Sequence, residues 1–152
     1  VRVAPRVIDA WIDADGKETP QARPEEVRVI SEATAKTLTE MLIGVTQEGG
    51  TAESASINGY LVAGKTGTSE ILTDDGSTVA SFVGFLPARN PVLAIAVIVN
   101  RPEETYGGTV AAPVFREVAL AAMQALNIAP DPSVVAAQAA RNGAGGERDA
   151  NQ

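Results

Sequence analysis

Neither cysteine nor histidine occurs anywhere in the 152-residue sequence. The absence of cysteine excludes disulfides, thiolate nucleophiles and thiolate metal ligands, although it leaves the redox compartment open. The absence of histidine excludes Ser-His-Asp and Cys-His catalysis within this chain, and with them every histidine-based zinc site. Any proton transfer must therefore use lysine, carboxylate, tyrosine or hydroxyl groups, and the sequence predicts no metal and no cofactor.

Basic residues and long apolar runs are also scarce. There are 12 Lys and Arg residues against 19 Asp and Glu, a formal net charge of −7. Because nucleic-acid binding needs a basic patch, we expect no nucleic-acid partner. The longest apolar run, residues 92–99, is far shorter than the ~20 residues of a membrane helix. The chain opens on Val1 with no signal-like segment, and we interpret it as a piece of a larger protein.

What the sequence does contain is enough apolar residues, 45%, to form a core. Their spacing predicts an α+β fold with a mainly antiparallel sheet flanked by helices. The predicted strands cover residues 7–12, 27–30, 60–66, 79–86 and 92–99, and the predicted helices cover residues 31–47 and 109–127. Because residues 92–99 are apolar at every position, we expect a central strand that is covered on both faces.

A change of composition predicts where the folded part ends. We assign residues 1–132 to one domain portion. Beyond them the sequence turns to Ala, Gln, Arg, Gly, Asp and Asn. Such a segment buries little apolar surface, so we predict a disordered tail over residues 133–152, with at most a short helix over 134–140.

Two short motifs match patterns that their surroundings do not support. Residues 59–66 fit the phosphate-loop pattern G-x-x-x-x-G-K-[ST], but the four middle residues are strand-like and no helix follows. A nucleotide site is therefore a remote alternative. Ser56-Ile57-Asn58 fits the S-x-N motif of penicillin-recognising enzymes. In those enzymes S-x-N lies far in sequence from a second motif, K-T-G, whereas here only a few residues separate it from Lys65, the lysine of that motif. We interpret Asn58-Gly59 as a turn that precedes the next strand.

Lys65-Thr66-Gly67 is the K-T-G motif of penicillin-binding proteins and serine β-lactamases. On a strand, alternate side chains share a face, so Thr66 and Thr68 present two hydroxyls that suit a carboxylate. Lys65 supplies a positive charge that favours an anion and can lower the pKa of a neighbouring group. Gly67 has no side chain, which allows another backbone to approach closely.

The neighbouring sequence resembles the same family over a longer stretch. Residues 60–69 resemble the strand that carries this motif, and residues 81–87 and 91–99 resemble the next two strands. Residues 106–115 resemble the start of the C-terminal helix in class B penicillin-binding proteins, the transpeptidases of the elongation and division machineries. The resemblance covers about residues 1–128. It implies a β-lactamase/transpeptidase-like fold, of which this chain is the C-terminal portion.

The resemblance also implies a function. It predicts part of a serine D,D-transpeptidase that cross-links peptidoglycan stem peptides through an acyl-enzyme and is acylated by β-lactams. Lys65 is then catalytic, Thr66, Gly67 and Thr68 bind substrate, and the Thr68 N–H is an oxyanion-hole donor. No serine has a lysine three positions further on, so the S-x-x-K nucleophile is expected outside this chain.

The implied partners follow from this activity. They are the D-Ala-D-Ala end of the stem peptide, β-lactam antibiotics and the upstream half of the same domain. The parent protein is expected on the extracytoplasmic face of the bacterial membrane, anchored there within a wall-synthesis complex. The alternative on the same fold is a β-lactam sensor or a non-catalytic interaction module.

Overall fold

The computed structural model describes residues 1–5, 7–71, 76–104 and 106–146, with the backbone alone for 142–146. The chain divides into two compact units, Val1–Thr37 and Leu38–Gln152. The elements, in chain order, are β1 (Ala10–Ile12), β2 (Glu18–Pro20), α1 (Glu32–Gly44), a short 3-10 helix (Glu53–Ala55), β3 (Ala63–Glu70), β4 (Thr78–Leu86), β5 (Leu93–Asn100), α2 (Gly107–Ala125) and α3 (Pro132–Gly146). Within these ranges no helix is long and apolar enough to cross a membrane.

The first unit contains a small antiparallel hairpin of β1 and β2. The Asp13 carboxylate accepts hydrogen bonds from the backbone N–H groups of Asp15 and Lys17, at 3.0 and 2.9 Å. This side chain closes a tight turn, so the chain returns immediately. The prediction of a return strand at residues 27–30 is therefore wrong, and Val27 forms only an isolated bridge with Arg2.

The second unit is built on a three-stranded antiparallel sheet in the order β3-β4-β5. This confirms the predicted antiparallel sheet and its flanking helices. The prediction that residues 92–99 form the central strand is wrong, because β4 is central and β5 lies at an edge. Alternate residues of β5 are partly buried and exposed, and Ile98 remains 69% exposed. The apolar run thus has one face against the core and one open face.

Helix α2 covers one face of this sheet and closes the main core. Phe115 of α2 meets Phe82 of β4 edge to face, with ring centroids 4.8 Å apart and planes inclined by 73°. The paired glycines Gly64 and Gly84 make room for these rings, since a Cβ on either would lie within 3 Å of a ring carbon. The fully buried residues of this core include Ala55, Phe82, Leu86, Ala111, Ala112, Phe115, Ala119 and Met123.

Helix α3 occupies the segment for which the sequence predicted a disordered tail. It runs to Gly146, well beyond the short helix expected over 134–140. The Asp131 carboxylate accepts hydrogen bonds from the backbone N–H and hydroxyl of Ser133, at 2.8 and 2.6 Å, and these bonds lower the pKa of Asp131. This cap, together with an alanine-rich sequence of high helix propensity, starts a helix that composition alone does not reveal. Residues 147–152 of the predicted tail lie outside the described residues.

A surface ion pair joins Glu40 of α1 to Arg89 in the β4–β5 turn. Two guanidinium nitrogens lie 3.0 and 3.2 Å from the two carboxylate oxygens. These hydrogen bonds, together with the charge of Arg89, hold the pKa of Glu40 below its usual value. The stabilisation is therefore present above the pKa of an unfolded glutamate, about 4.3, and is lost as the pH falls through the folded value.

We expect Arg89→Ala to lower the melting temperature modestly at about pH 7, with the difference from wild type closing below about pH 4. Thermal unfolding across this pH range tests the point. Arg23→Ala is the matched control because it removes the same side chain from another exposed position. A difference that stays constant down to pH 3 would show that Arg89 acts through packing and not through the ion pair.

Candidate active site

The K-T-G motif lies inside β3, an edge strand of the sheet. Sequence periodicity predicts the end of this strand at residue 66, whereas the strand continues to Glu70, so the whole motif has extended geometry. The residues Gly64-Lys65-Thr66 therefore belong to a strand and not to a loop in front of a helix. This geometry excludes the phosphate-loop alternative, which needs backbone N–H groups curled around an anion.

The two faces of β3 have different surroundings. Lys65 is paired with Val83, which is 53% exposed, and both lie on the sheet face opposite α2. Thr66 is paired with the buried Phe82, and Thr68 with the buried Ala80. The two threonines therefore share the α2 face, as the alternation predicted, while Lys65 belongs to the open face.

The Lys65 side chain nevertheless reaches Thr66. Its amine donates to the Thr66 carbonyl oxygen at 2.9 Å and lies 3.2 Å from the Thr66 hydroxyl oxygen. To make both contacts, the amine bends along the strand toward the next residue. A cationic amine, a hydroxyl and a backbone carbonyl thus meet on a strand whose Lys65 side chain is exposed.

The start of α2 lies against the motif strand, a contact that the sequence analysis missed. The Gly107 N–H donates to the Thr68 hydroxyl oxygen at 3.3 Å. A Cβ on Gly107 would come within 2.6 Å of the carbonyl oxygens of Gly67 and Ser81, so only glycine permits this approach. The signal in the sequence is the Gly107-Gly108 pair, which by itself indicates only the beginning of a helix.

The backbone of Gly67 points toward β4. Its carbonyl oxygen lies 3.3 Å from the Ser81 hydroxyl, which donates to it, and this hydroxyl fills the space where a side chain on Gly67 would sit. In an antiparallel pair, successive residues direct their backbone groups alternately toward the partner and away from it. The N–H and C=O groups of Thr66 and Thr68 are therefore directed to the outer edge of β3.

The four residues before β3 are anchored one by one. We call Gly59–Val62 the lead-in segment. The Tyr60 hydroxyl donates to the Ile128 carbonyl at 2.6 Å, and the Leu61 carbonyl accepts the Ala88 N–H at 2.8 Å. The Val62 carbonyl accepts the hydroxyl of buried Thr46 at 2.8 Å. These contacts fix the direction in which the chain enters the motif strand.

The turn predicted at Asn58-Gly59 opens this lead-in segment. The Tyr60 N–H donates to the Ile57 carbonyl at 3.1 Å, and Gly59 has a φ of +82°, a conformation that favours glycine. The turn is therefore confirmed, and Ser56-Ile57-Asn58 is part of it.

The K-T-G motif thus lies on a strand, as its resemblance to penicillin-binding proteins predicted. The profile of the family described as "Penicillin binding protein transpeptidase domain" matches residues 1–120. The chain belongs to this family.

Individual relatives agree with this assignment. The chain is 38% identical over 119 residues to "Probable peptidoglycan D,D-transpeptidase PenA" of Neisseria flavescens, which covers 74% of this chain and 30% of that protein. Among solved structures, the transpeptidase domain of Burkholderia pseudomallei penicillin-binding protein 3 matches with a TM-score of 0.62 and 36% identity, over 74% of this chain and 35% of that one. A ceftriaxone acyl-enzyme complex of Mycobacterium tuberculosis penicillin-binding protein A matches with a TM-score of 0.67 and 29% identity, over 78% and 28%. The chain therefore spans about a third or less of each of these proteins.

Proposed function

We propose that this chain is the K-T-G-bearing part of a serine D,D-transpeptidase that cross-links peptidoglycan stem peptides. The observation that carries the proposal is the placement of Lys65, Thr66 and Thr68 on one edge strand, with the Lys65 amine 3.2 Å from the Thr66 hydroxyl. A cationic amine beside a hydroxyl favours a bound carboxylate, which is the group that ends a D-Ala-D-Ala peptide.

The strand geometry supports a division of labour between side chains and backbone. A stem peptide that adds to the outer edge of β3 as an extra strand would pair with the backbone of Thr66 and Thr68. Its terminal carboxylate would be held by the Thr66 hydroxyl and the Lys65 amine, with the Thr68 hydroxyl as a second donor. The Thr68 N–H would donate to the oxyanion that forms when the substrate carbonyl is attacked.

The nucleophile belongs, in this proposal, to the part of the protein that is outside this chain. No S-x-x-K motif occurs in the sequence, and Lys65 lies on the sheet face opposite α2, where Val83 and Ile98 are exposed. A serine presented from that side would meet the Lys65 amine. The positive charge of this amine would stabilise the negative charge that develops during acylation. The serine oxygen would then form an ester with the penultimate D-Ala, and the terminal D-Ala would leave.

β-Lactams would acylate the same serine, and a relative supports this part of the proposal. The matched penicillin-binding protein A of Mycobacterium tuberculosis forms an acyl-enzyme complex with ceftriaxone. Since stem peptides are cross-linked outside the cytoplasm, we also propose that the parent protein acts on the extracytoplasmic face of the membrane, anchored there within a wall-synthesis complex.

Labelling with a fluorescent penicillin tests the proposal. We expect the full-length protein to be labelled covalently and this chain alone to remain unlabelled, because the chain lacks the nucleophile. Labelling of the isolated chain would contradict the placement of the serine. A full-length protein that is labelled but does not cross-link or hydrolyse stem peptides would instead favour a β-lactam sensor.

A further inference from the structure

Gln138 of α3 contacts the turn that opens the lead-in segment. Its side-chain oxygen accepts the Gly59 N–H at 2.8 Å, and its side-chain nitrogen donates to the Ile57 carbonyl at 3.1 Å. Both polar atoms of the amide are thus used by the backbone of one turn, as a second peptide group would use them. The contact is partly buried, which strengthens its hold because water competes less for these groups.

The chain that leads into α3 fits closely around the same glycine. The Asp131 N–H donates to the Gly59 carbonyl at 2.9 Å, so both backbone polar groups of Gly59 are bound by residues after α2. A Cβ on Gly59 would lie 2.4 Å from the Pro130 Cβ. The glycine is therefore required both by its positive φ and by this close approach.

These contacts come from beyond the part of the chain that the family profile matches, which ends at residue 120. Ile128 binds Tyr60, Asp131 binds Gly59, and Gln138 binds both Ile57 and Gly59. The segment after α2 therefore contributes to the fixation of the lead-in segment.

Only a short, well-packed stretch separates this turn from the motif. Val62 and Ala63 are 1% and 0% exposed, and Lys65 follows two residues later. A close-packed chain of this kind transmits a displacement at Gly59 into β3 because little free space is present to absorb it. The backbone N–H and C=O groups of Thr66 and Thr68, which lie at the outer edge of β3, would move with the turn.

We propose that Gln138 is a positioning residue for the K-T-G strand, which makes α3 a functional part of the transpeptidase site. It acts through the turn at Ile57–Tyr60 and does not touch substrate. This inference rests on the proposed function. Since catalytic groups must be held within about 0.5 Å of their productive positions, losing both amide contacts should impair acylation before it impairs folding.

The experiment compares Gln138→Ala and Gln138→Glu with wild type in the full-length protein. Gln124→Ala is the control, because it removes the same side chain from an exposed position on α2. For Gln138→Ala, assayed well below its melting temperature, we expect fluorescent-penicillin acylation to slow by about three- to tenfold. We also expect faster hydrogen exchange at the amides of Lys65, Gly67 and Ser69, which face β4. Gln124→Ala should change neither.

Gln138→Glu supplies a readout that a purely structural role would not move. Its carboxylate can accept from the Gly59 N–H but cannot donate to the Ile57 carbonyl, whereas its protonated form can do both. We expect its acylation rate relative to wild type to recover as the pH falls from about 7 to about 5. A ratio that does not change with pH would contradict the role of the donated hydrogen bond.

The outcomes separate this inference from the proposed function. If the wild-type protein is not labelled by penicillin, the proposed function fails, and hydrogen exchange at the amides of Lys65, Gly67 and Ser69 alone decides whether Gln138 positions the strand. If wild type is labelled and Gln138→Ala behaves like Gln124→Ala in both acylation and exchange, the positioning role is overturned.

Discussion

Replacing Lys65 with alanine in the full-length protein is expected to slow acylation by penicillin about 100-fold or more, while the melting temperature stays nearly unchanged. The side chain is exposed and its amine hydrogen-bonds to the neighbouring Thr66, so we expect the fold not to depend on it. In the proposed site, however, it lies beside the carboxylate and the attacking serine, where a removed charge costs as much as a lost oxyanion-hole donor. Stopped-flow or gel-based labelling measures the rate.

Lys36→Ala is the control for this experiment, since Lys36 is an exposed lysine on α1. Lys65→Arg keeps the charge but not the compact ammonium group, and we expect it to recover only part of the rate. A normal acylation rate for Lys65→Ala would show that Lys65 is not catalytic. The threonines and the backbone would then account for the function of the K-T-G strand.

Phe82→Ala is expected to lower the free energy of unfolding by about 3–5 kcal/mol. The Phe82 ring is fully buried, packs edge to face on Phe115, and fills the space above the paired glycines Gly64 and Gly84. Because Gly64 directly precedes Lys65, the loss should also loosen the motif strand. Urea denaturation of the full-length protein measures the stability.

The next residue on β4 provides the control. Val83 points to the opposite face and is 53% exposed, so Val83→Ala should cost much less than Phe82→Ala. Equal losses for the two variants would contradict the assignment of the core to the α2 side of the sheet.

Regular periodicity made most of the second unit predictable from sequence. The meander β3–β5 and the helices α1 and α2 follow from apolar spacing and from turn residues between them. The errors arose where one side chain decides the local structure. Asp13 closes the hairpin early, and Asp131 caps a helix that composition had suggested was disordered. Uniform apolar character likewise could not show that β5 lies at an edge.

The site was predictable to the extent that it is local in sequence. Lys65, Thr66, Gly67 and Thr68 are consecutive, and strand alternation alone places the two hydroxyls on one face. The neighbours that orient them come from elsewhere in the chain: the Gly107 N–H is 39 residues from Thr68, and Gln138 is 79 residues from Gly59. The spacing of residues within one segment carries no information about such long-range contacts. They become visible only when the packing of α2 and α3 is known.

In the proposed mode of binding, the outward direction of the Thr66 and Thr68 backbone restricts how a stem peptide can dock. Those two residues are separated by Gly67, whose carbonyl is turned inward, so outward groups recur only at every second position, about 6.8 Å apart. A peptide strand added to β3 can therefore shift only in steps of two residues. After a shift of one residue, its backbone N–H and C=O groups would have no outward-directed partners on β3. A stem peptide displaced by one such step would not contact the Lys65–Thr66 pair, so the two-residue repeat of the edge would permit only one productive register.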